Sequence, residues 1–331
     1  MGEFDLIARY FARPLPPRSS SALPASGRVD LGIGDDCALL RPAPGMQLAV
    51  SSDMLVEGRH FLSTVDPFRL GHKALAVNLS DLAASGATPL ACTLALALPQ
   101  ADAAWLAAFS DGLFALADAH GCALVGGDTT RGPLNLCITV FGEIPSGQAL
   151  LRSGALPGDD VYISGTLGDA RMALEVFRGT LTLPAPAFAE ARDRMEMPTP
   201  RVALGAALRG VAHAAIDISD GLLGDLGHIL RASGCGATLD TGFVQHSHAT
   251  SEALKQLPEA TGLDMALAGG DDYELVFTAP ATARAAVQHA AHTSQTLVTR
   301  IGQIDAVPGL RLLDAGGQPV AQRFGAFDHF A

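Results

Sequence analysis

Short apolar runs in this chain stop repeatedly on glycine, aspartate or proline, and that punctuation limits the folds open to it. "VDLGIG" (29–34), "LAVSSD" (48–53), "LACTLALAL" (90–98), "CALVGGD" (122–128) and "LNLCITVFGEI" (134–144) have the length and β-prone composition of strands. Between them, 67–85 and 102–120 carry helical periodicity, with Asp102 placed as an N-cap and Gly121 just past the second end. Strands alternating with helices specify an α/β fold, here with β-hairpin insertions.

A turn-rich bridge, "PSGQALLRSGALPGDD" (145–160), leads into a second alternation. It reads as "VYISG", a helix over 169–177, helices over 186–197 and 202–211, "AAIDIS", and a helix running to Ser233. Then come "YELVFT", a helix to His292, and a final strand pair around "DAGGQ". A length of 331 residues suits two domains, expected at 1–147 and 148–331. With 48% apolar and 17% charged residues, the composition is the ordinary balance of a globular protein.

Charge removes several functions from consideration. A formal net charge of -12 with only 22 Lys and Arg leaves no cationic stripe for a nucleic-acid backbone. The longest uncharged apolar stretch near the N-terminus, 90–98, is too short to span a bilayer. Five cysteines without C-x-x-C spacing fit reduced thiols, and no cationic leader precedes Phe4, Ile7 and Phe11, whose spacing suits a short amphipathic helix. A cytoplasmic protein is expected.

The acidic residues are lopsided, with 25 Asp against 9 Glu. Many of the aspartates fall at the ends of apolar runs: Asp35 and Asp36 in "GIGDDC", Asp53 in "SSDML", Asp81 in "NLSDL", Asp128 in "GGDTT", Asp217 and Asp220 in "IDISDG", Asp271 and Asp272 in "GGDDY". Singly, each is read as a turn or cap residue; Asp220, for example, could cap the helix that follows Gly221. Asp81 is harder to treat so, because Leu70, Ala74, Val77 and Asp81 share one helical face and put an anion in line with an apolar stripe. Gathered at strand ends, the set points to divalent cations, since converging carboxylates repel one another unless neutralised. Magnesium suits oxygen donors shared with substrate phosphates. There is no G-x-x-x-x-G-K-[ST] loop, no G-x-S-x-G elbow and no H-E-x-x-H, and Ser219 is best read as a helix-start hydroxyl. Phosphoryl transfer needs no covalent intermediate, only positioning and charge neutralisation.

The ordered motifs "GEFDLIARYF", "LGIGDDCALL", "SSDMLVEGRHF", "HKALAVNLSDLAASGATP", "LVGGDTTRGP", "AIDISDGLLGDLGHIL", "GGDDYELVF" and "FDHF" resemble the thiamine-monophosphate kinase family over essentially the whole chain. That family shares a superfamily with aminoimidazole ribonucleotide synthetase and selenophosphate synthetase. The resemblance implies ATP-dependent phosphorylation of thiamine monophosphate to the diphosphate by direct in-line transfer, with several Mg2+ ions. It also implies a homodimer whose N-terminal domains pair their sheets. Carried onto this chain, Asp36, Ser51, Ser52, Asp53, Asp81, Asp128, Asp217 and Asp220 match metal positions. Gly127, Asp128, Arg152 and Ser219 match ATP contacts, and His60, Asp271 and Phe327 match substrate contacts. Asp271 stands where the family carries Glu, and Phe327 where it carries Tyr or Trp. Asp225, in the helix beyond, is expected to be ordinary. The alternatives are another acceptor on the same fold, or a nucleotide-binding module without catalysis. The first is disfavoured for selenophosphate chemistry because residues 1–34 hold neither Cys nor Lys.

Overall fold

A computed structural model of the chain describes residues 2–13 and 28–320, which form two compact units. Phe327 lies outside the described residues. The first unit comprises Met1–Leu82 and Ala87–Gly147, the second Ala83–Gly86 and Gln148–Ala331.

In the first unit, α1 (Glu3–Leu6) continues into a wider helical turn, Ile7–Phe11, that buries Leu6 and Phe11. β1 (Val29–Leu31) and β2 (Leu39–Leu40) pair antiparallel. The main sheet has four strands: β3 (Met46–Val56), β4 (Thr88–Leu98), β5 (Ala123–Arg131) and β6 (Asn135–Pro145). Its spatial order is β3-β6-β4-β5. Consecutive β5 and β6 therefore do not form the hairpin that their short connection invites; β6 runs between β3 and β4 and pairs antiparallel with both. The parallel β4–β5 pair needs a crossover, which α3 (Ala103–His120) supplies.

Local signals set the bounds of α3. Asp102 accepts the Trp105 N–H at 2.8 Å, and Gly121 ends the helix in the left-handed region at φ 62°. α2 (Pro67–Ala84) lies so close to α3 that a Cβ on Gly71 would sit 2.0 Å from the Phe109 carbonyl oxygen. One on Gly112 would sit 1.9 Å from that of Phe68. Only glycine at both positions permits this contact. Beneath it, Leu70, Leu75, Leu79, Phe109 and Leu113 pack fully buried with Leu90, Leu96, Leu136 and Ile138 of the sheet.

The second unit is built on a mixed six-stranded sheet of order β12-β9-β11-β7-β10-β8. Its strands are β7 (Asp159–Ser164), β8 (Ala214–Ile218), β9 (Gly236–Asp240), β10 (Glu274–Pro280), β11 (Val298–Asp305) and β12 (Gly309–Leu313). The expected pair around "DAGGQ" reduces to a single bridge between Leu313 and Pro319, while β12 pairs parallel with β9. α4 (Asp169–Phe177), α5 (Ala185–Glu196), α6 (Val202–Ala207) and α7 (Leu222–Ser233) follow the sequence periodicity. α8 (Phe243–His246), α9 (Glu252–Lys255) and α10 (Glu259–Ala268) were not legible, and α11 (Arg284–Thr293) closes the set. Val161, Ile163, Ile216, Ile218, Leu226, Ile229 and Val276 form the heart of this core.

Candidate functional site

In the first unit the candidate residues fall into two groups. Ser51 and Asp53 alternate on one face of the edge strand β3. The Ser51 hydroxyl donates to Asp81 Oδ2 of α2 at 2.5 Å, so the aspartate that continues the apolar stripe meets a second candidate residue. Asn78, one turn earlier on α2 and buried, orders the same group: its Oδ1 accepts the Asp53 N–H at 3.0 Å while its Nδ2 donates to the Ala74 carbonyl at 3.0 Å. The spacing of Asn78 to Asp81 is the signal that could have found it. Ser52 points the other way, its hydroxyl 2.9 Å from that of Thr139. His60 Nδ1 accepts the Val56 N–H at 3.0 Å, which fixes the ring against the end of β3.

Gly127 and Asp128 lie at the other edge of the sheet, on β5. Register puts Asp53, Ile138, Leu94 and Gly127 in one cross-strand row, and Met54, Cys137, Ala95 and Asp128 in the next. Asp128 therefore belongs to the face opposite Asp53 and is separated from β3 by three strand spacings, ~14 Å. Asp128 and Asp36 instead line one cavity of about 870 Å³. Its apolar wall comes from Ile7, Phe11, Leu124 and Val125, and its polar wall from Asp35, Gly126 and Thr129. Gly127 holds φ 141°, and a Cβ on it would meet the Leu94 carbonyl oxygen at 1.9 Å, so the β5 backbone approaches this cavity in a form only glycine allows.

The second unit gathers its own group. Asp217, the penultimate residue of β8, is buried and in register with Leu275 of β10. Ser219 and Asp220 form the turn into α7, and the Ser219 carbonyl accepts the Asp271 N–H at 2.7 Å. Burial raises the pKa of Asp225 and lowers that of His228, and Arg152 lies close enough for its charge to oppose the first shift and add to the second. Asp225 is not ordinary. It is 3% exposed, and its Oδ2 accepts the N–H of Ser219 at 3.0 Å and of Asp220 at 3.1 Å. Burial pushes its carboxyl up to about 7, against these two donors, which favour the anion. Asp220 itself does not cap α7; Gly221 occupies the cap position and Asp225 reaches back from the first turn.

Behind this turn, Glu274 is fully buried and accepts from Arg194, Arg201 and Ser164. Burial alone would raise its pKa, but the Arg201 and Arg194 guanidiniums hold it below the ordinary value. Burial pushes neighbouring Asp272 well up, aided by the charge of Asp169. No three His, Cys, Asp or Glu side chains among the described residues come together as a ready-made metal cluster.

Residues 34–144 match the AIR synthase related protein, N-terminal domain, and 156–314 the corresponding C-terminal domain. The thiamine-monophosphate kinase of Salmonella typhimurium is 48% identical over 332 residues, covering 100% of this chain and 98% of the relative. That of Escherichia coli K12 is 47% identical over 337 residues, with 100% and 98% covered. The crystal structure of thiamine-monophosphate kinase from Stenotrophomonas maltophilia superposes with a TM-score of 0.81 at 48% identity, over 88% of this chain and 92% of that one. AaThiL, solved with AMPPCP and TMP, gives 0.74 at 29% identity over 86% and 88%. The chain belongs to the thiamine-monophosphate kinase family.

Proposed function

We propose that this enzyme transfers the γ-phosphoryl group of ATP directly to the phosphate of thiamine monophosphate, giving thiamine diphosphate and ADP. An acceptor phosphate oxygen forms the new P–O bond as the bond from the γ-phosphorus to the β,γ-bridging oxygen breaks, and no protein nucleophile intervenes. The observation that carries this reading is identity of 48% along the full chain to a thiamine-monophosphate kinase. The AaThiL complex with AMPPCP and TMP supports the choice of both substrates.

The two units divide the work. We assign 1–147 to ATP, metal and dimer contacts, and 148–331 to the companion α/β domain. We assign ATP to the first-unit cavity beside Asp36, Gly127 and Asp128; Arg152 and Ser219 are carried over as nucleotide contacts on the strength of the family match alone. His60 and Asp271 orient the acceptor, with Phe327 as a further contact. The donors at the metal positions are carboxylates and hydroxyls, the hard oxygen ligands that Mg2+ prefers, with the remaining places left to phosphate and water. Magnesium, when bound, would supply charge neutralisation between two anionic reactants. Asp36, Ser51, Ser52, Asp53, Asp81, Asp128, Asp217 and Asp220 would hold it.

A homodimer fits the open face of the first sheet. Leu48, Val50, Met54 and Val56 are 37–56% exposed along one side of an edge strand, an aggregation hazard unless covered. Pairing the first-unit sheets of two copies covers it. The separation of Asp128 from Ser51 and Asp53 gives that pairing a chemical role, because a site needing both groups can draw them from two copies. Five free thiols support a cytoplasmic location, and no described helix is long and apolar enough to cross a membrane.

The test is direct: purified protein is incubated with Mg2+, ATP and thiamine monophosphate, and thiamine diphosphate and ADP are quantified. Equal amounts of both products are expected. Phosphorylation of a different acceptor, with no thiamine diphosphate formed, would overturn the assignment.

A further inference from the structure

The turn at Ser219 and Asp220 is held from two sides. On one side, both of its N–H groups converge on a single oxygen, Oδ2 of Asp225, at 3.0 and 3.1 Å. On the other, the Ser219 carbonyl accepts the Asp271 N–H at 2.7 Å and the Ile218 carbonyl accepts the Tyr273 N–H at 2.8 Å. The contact is tight as well as bonded, since a Cβ on Gly270 would lie 2.8 Å from the Ser219 carbonyl oxygen. Asp271 and Tyr273 occupy the left-handed region at φ 64° and 50°. Non-glycine residues persist there, at ~1–3 kcal/mol each, only where surrounding contacts over-determine them. Those contacts are the turn itself.

We propose that Asp225 is a positioning residue that fixes the Ser219–Asp220 turn and, through its far side, the backbone of Asp271. One buried oxygen thereby sets the ATP-facing and acceptor-facing parts of the second unit together. The inference rests on the roles given above to Ser219, Asp220 and Asp271. What the geometry uses is the acceptor oxygen rather than the charge, because both partners are neutral N–H groups. Asparagine keeps such an oxygen at the same reach. Glutamate keeps the charge but carries its carboxylate one methylene further, past the two donors.

The experiment compares Asp225→Asn, Asp225→Glu and Asp225→Ala in the full chain. It uses steady-state kinetics with Mg2+, ATP and thiamine monophosphate, and hydrogen–deuterium exchange of the ligand-free protein over residues 214–226. The Asn variant keeps kcat and both KM values within about threefold of wild type, a difference well under one tenfold step. The Glu and Ala variants lose about 10- to 100-fold in kcat/KM, the usual cost of losing a group that orients a site. In these two, KM rises for ATP and thiamine monophosphate together, and the amides of Ser219 and Asp220 exchange faster. An Asn variant as impaired as Glu would show that charge matters and overturn the proposal. So would Glu and Ala variants with wild-type exchange and unchanged KM values. If the Ala variant does not fold, the Asn and Glu pair decides. Wild-type protein that makes no thiamine diphosphate would defeat the functional reading instead, and the exchange pattern would still judge the role of Asp225.

Discussion

Arg201→Ala is the perturbation whose size the structure fixes best. Glu274 is fully buried, and Arg201 gives it two charge-assisted hydrogen bonds, Nε to Oε2 at 2.6 Å and Nη2 to Oε1 at 2.5 Å. Arg194 and Ser164 supply the other two, each at 2.5 Å. Removing Arg201 leaves the carboxylate half-compensated in a place water does not reach. Losing one partner of a buried pair costs about 3–5 kcal/mol, and the surviving Arg194 contact puts the expectation near the lower end, ~3 kcal/mol. For a unit of this size that corresponds to a fall in Tm of roughly 6–12 °C. Arg311→Ala is the control: Arg311 and Asp305 are paired but part-exposed, and such pairs contribute about 0–1 kcal/mol.

The sign with pH follows from Glu274. Its folded pKa lies below the ordinary 4.5, so its stabilisation is present above that value and is lost as pH falls through the folded pKa. In the Arg201 variant burial is less opposed, the folded pKa rises, and the acid loss of stability moves to higher pH. Urea unfolding of ligand-free protein across a pH series, followed by a probe in the second unit, measures both effects. Arg201→Ala and Arg311→Ala variants with equal midpoints at neutral pH would show that the buried pair does not carry this energy.

Other outcomes follow from the same geometry. Asp53→Asn and Asp128→Asn each abolish turnover alone, but co-refolded mixtures regain activity if these groups meet across two copies, because one site in each mixed dimer is intact. Mixtures as inactive as the parents would place both in one copy. Gly127→Ala costs about 2–4 kcal/mol, since its Cβ must displace the Leu94 carbonyl at a φ that disfavours side chains; a lower Tm together with weaker ATP binding is the readout. Asp160 is fully buried and held below its ordinary 3.8, chiefly by its hydrogen bond from Arg284. Arg284→Ala therefore destabilises most at neutral pH, and its difference from wild type vanishes as pH falls well below 3.8.

Features under local chemical control can be read directly along the chain. α3 begins at Asp102 and ends at Gly121 because a side-chain cap and a left-handed glycine act within one turn of the helix. The stripe ending at Asp81 announced a carboxylate facing inward, and the ordered motifs carried the family. Tertiary structure decided the rest. β6 passes over its chain neighbour β5 to lie between β3 and β4, because strand pairing is fixed by which faces bury together, not by loop length. That choice puts Asp53 and Asp128 on opposite faces and opposite edges of one sheet, although in sequence they look like equal members of one acidic set. Asp225 reads as one more helix residue until folding aims its carboxylate at two backbone N–H groups six and five residues back. Burial and convergence of this kind are properties of packed distance, which no stretch of sequence contains.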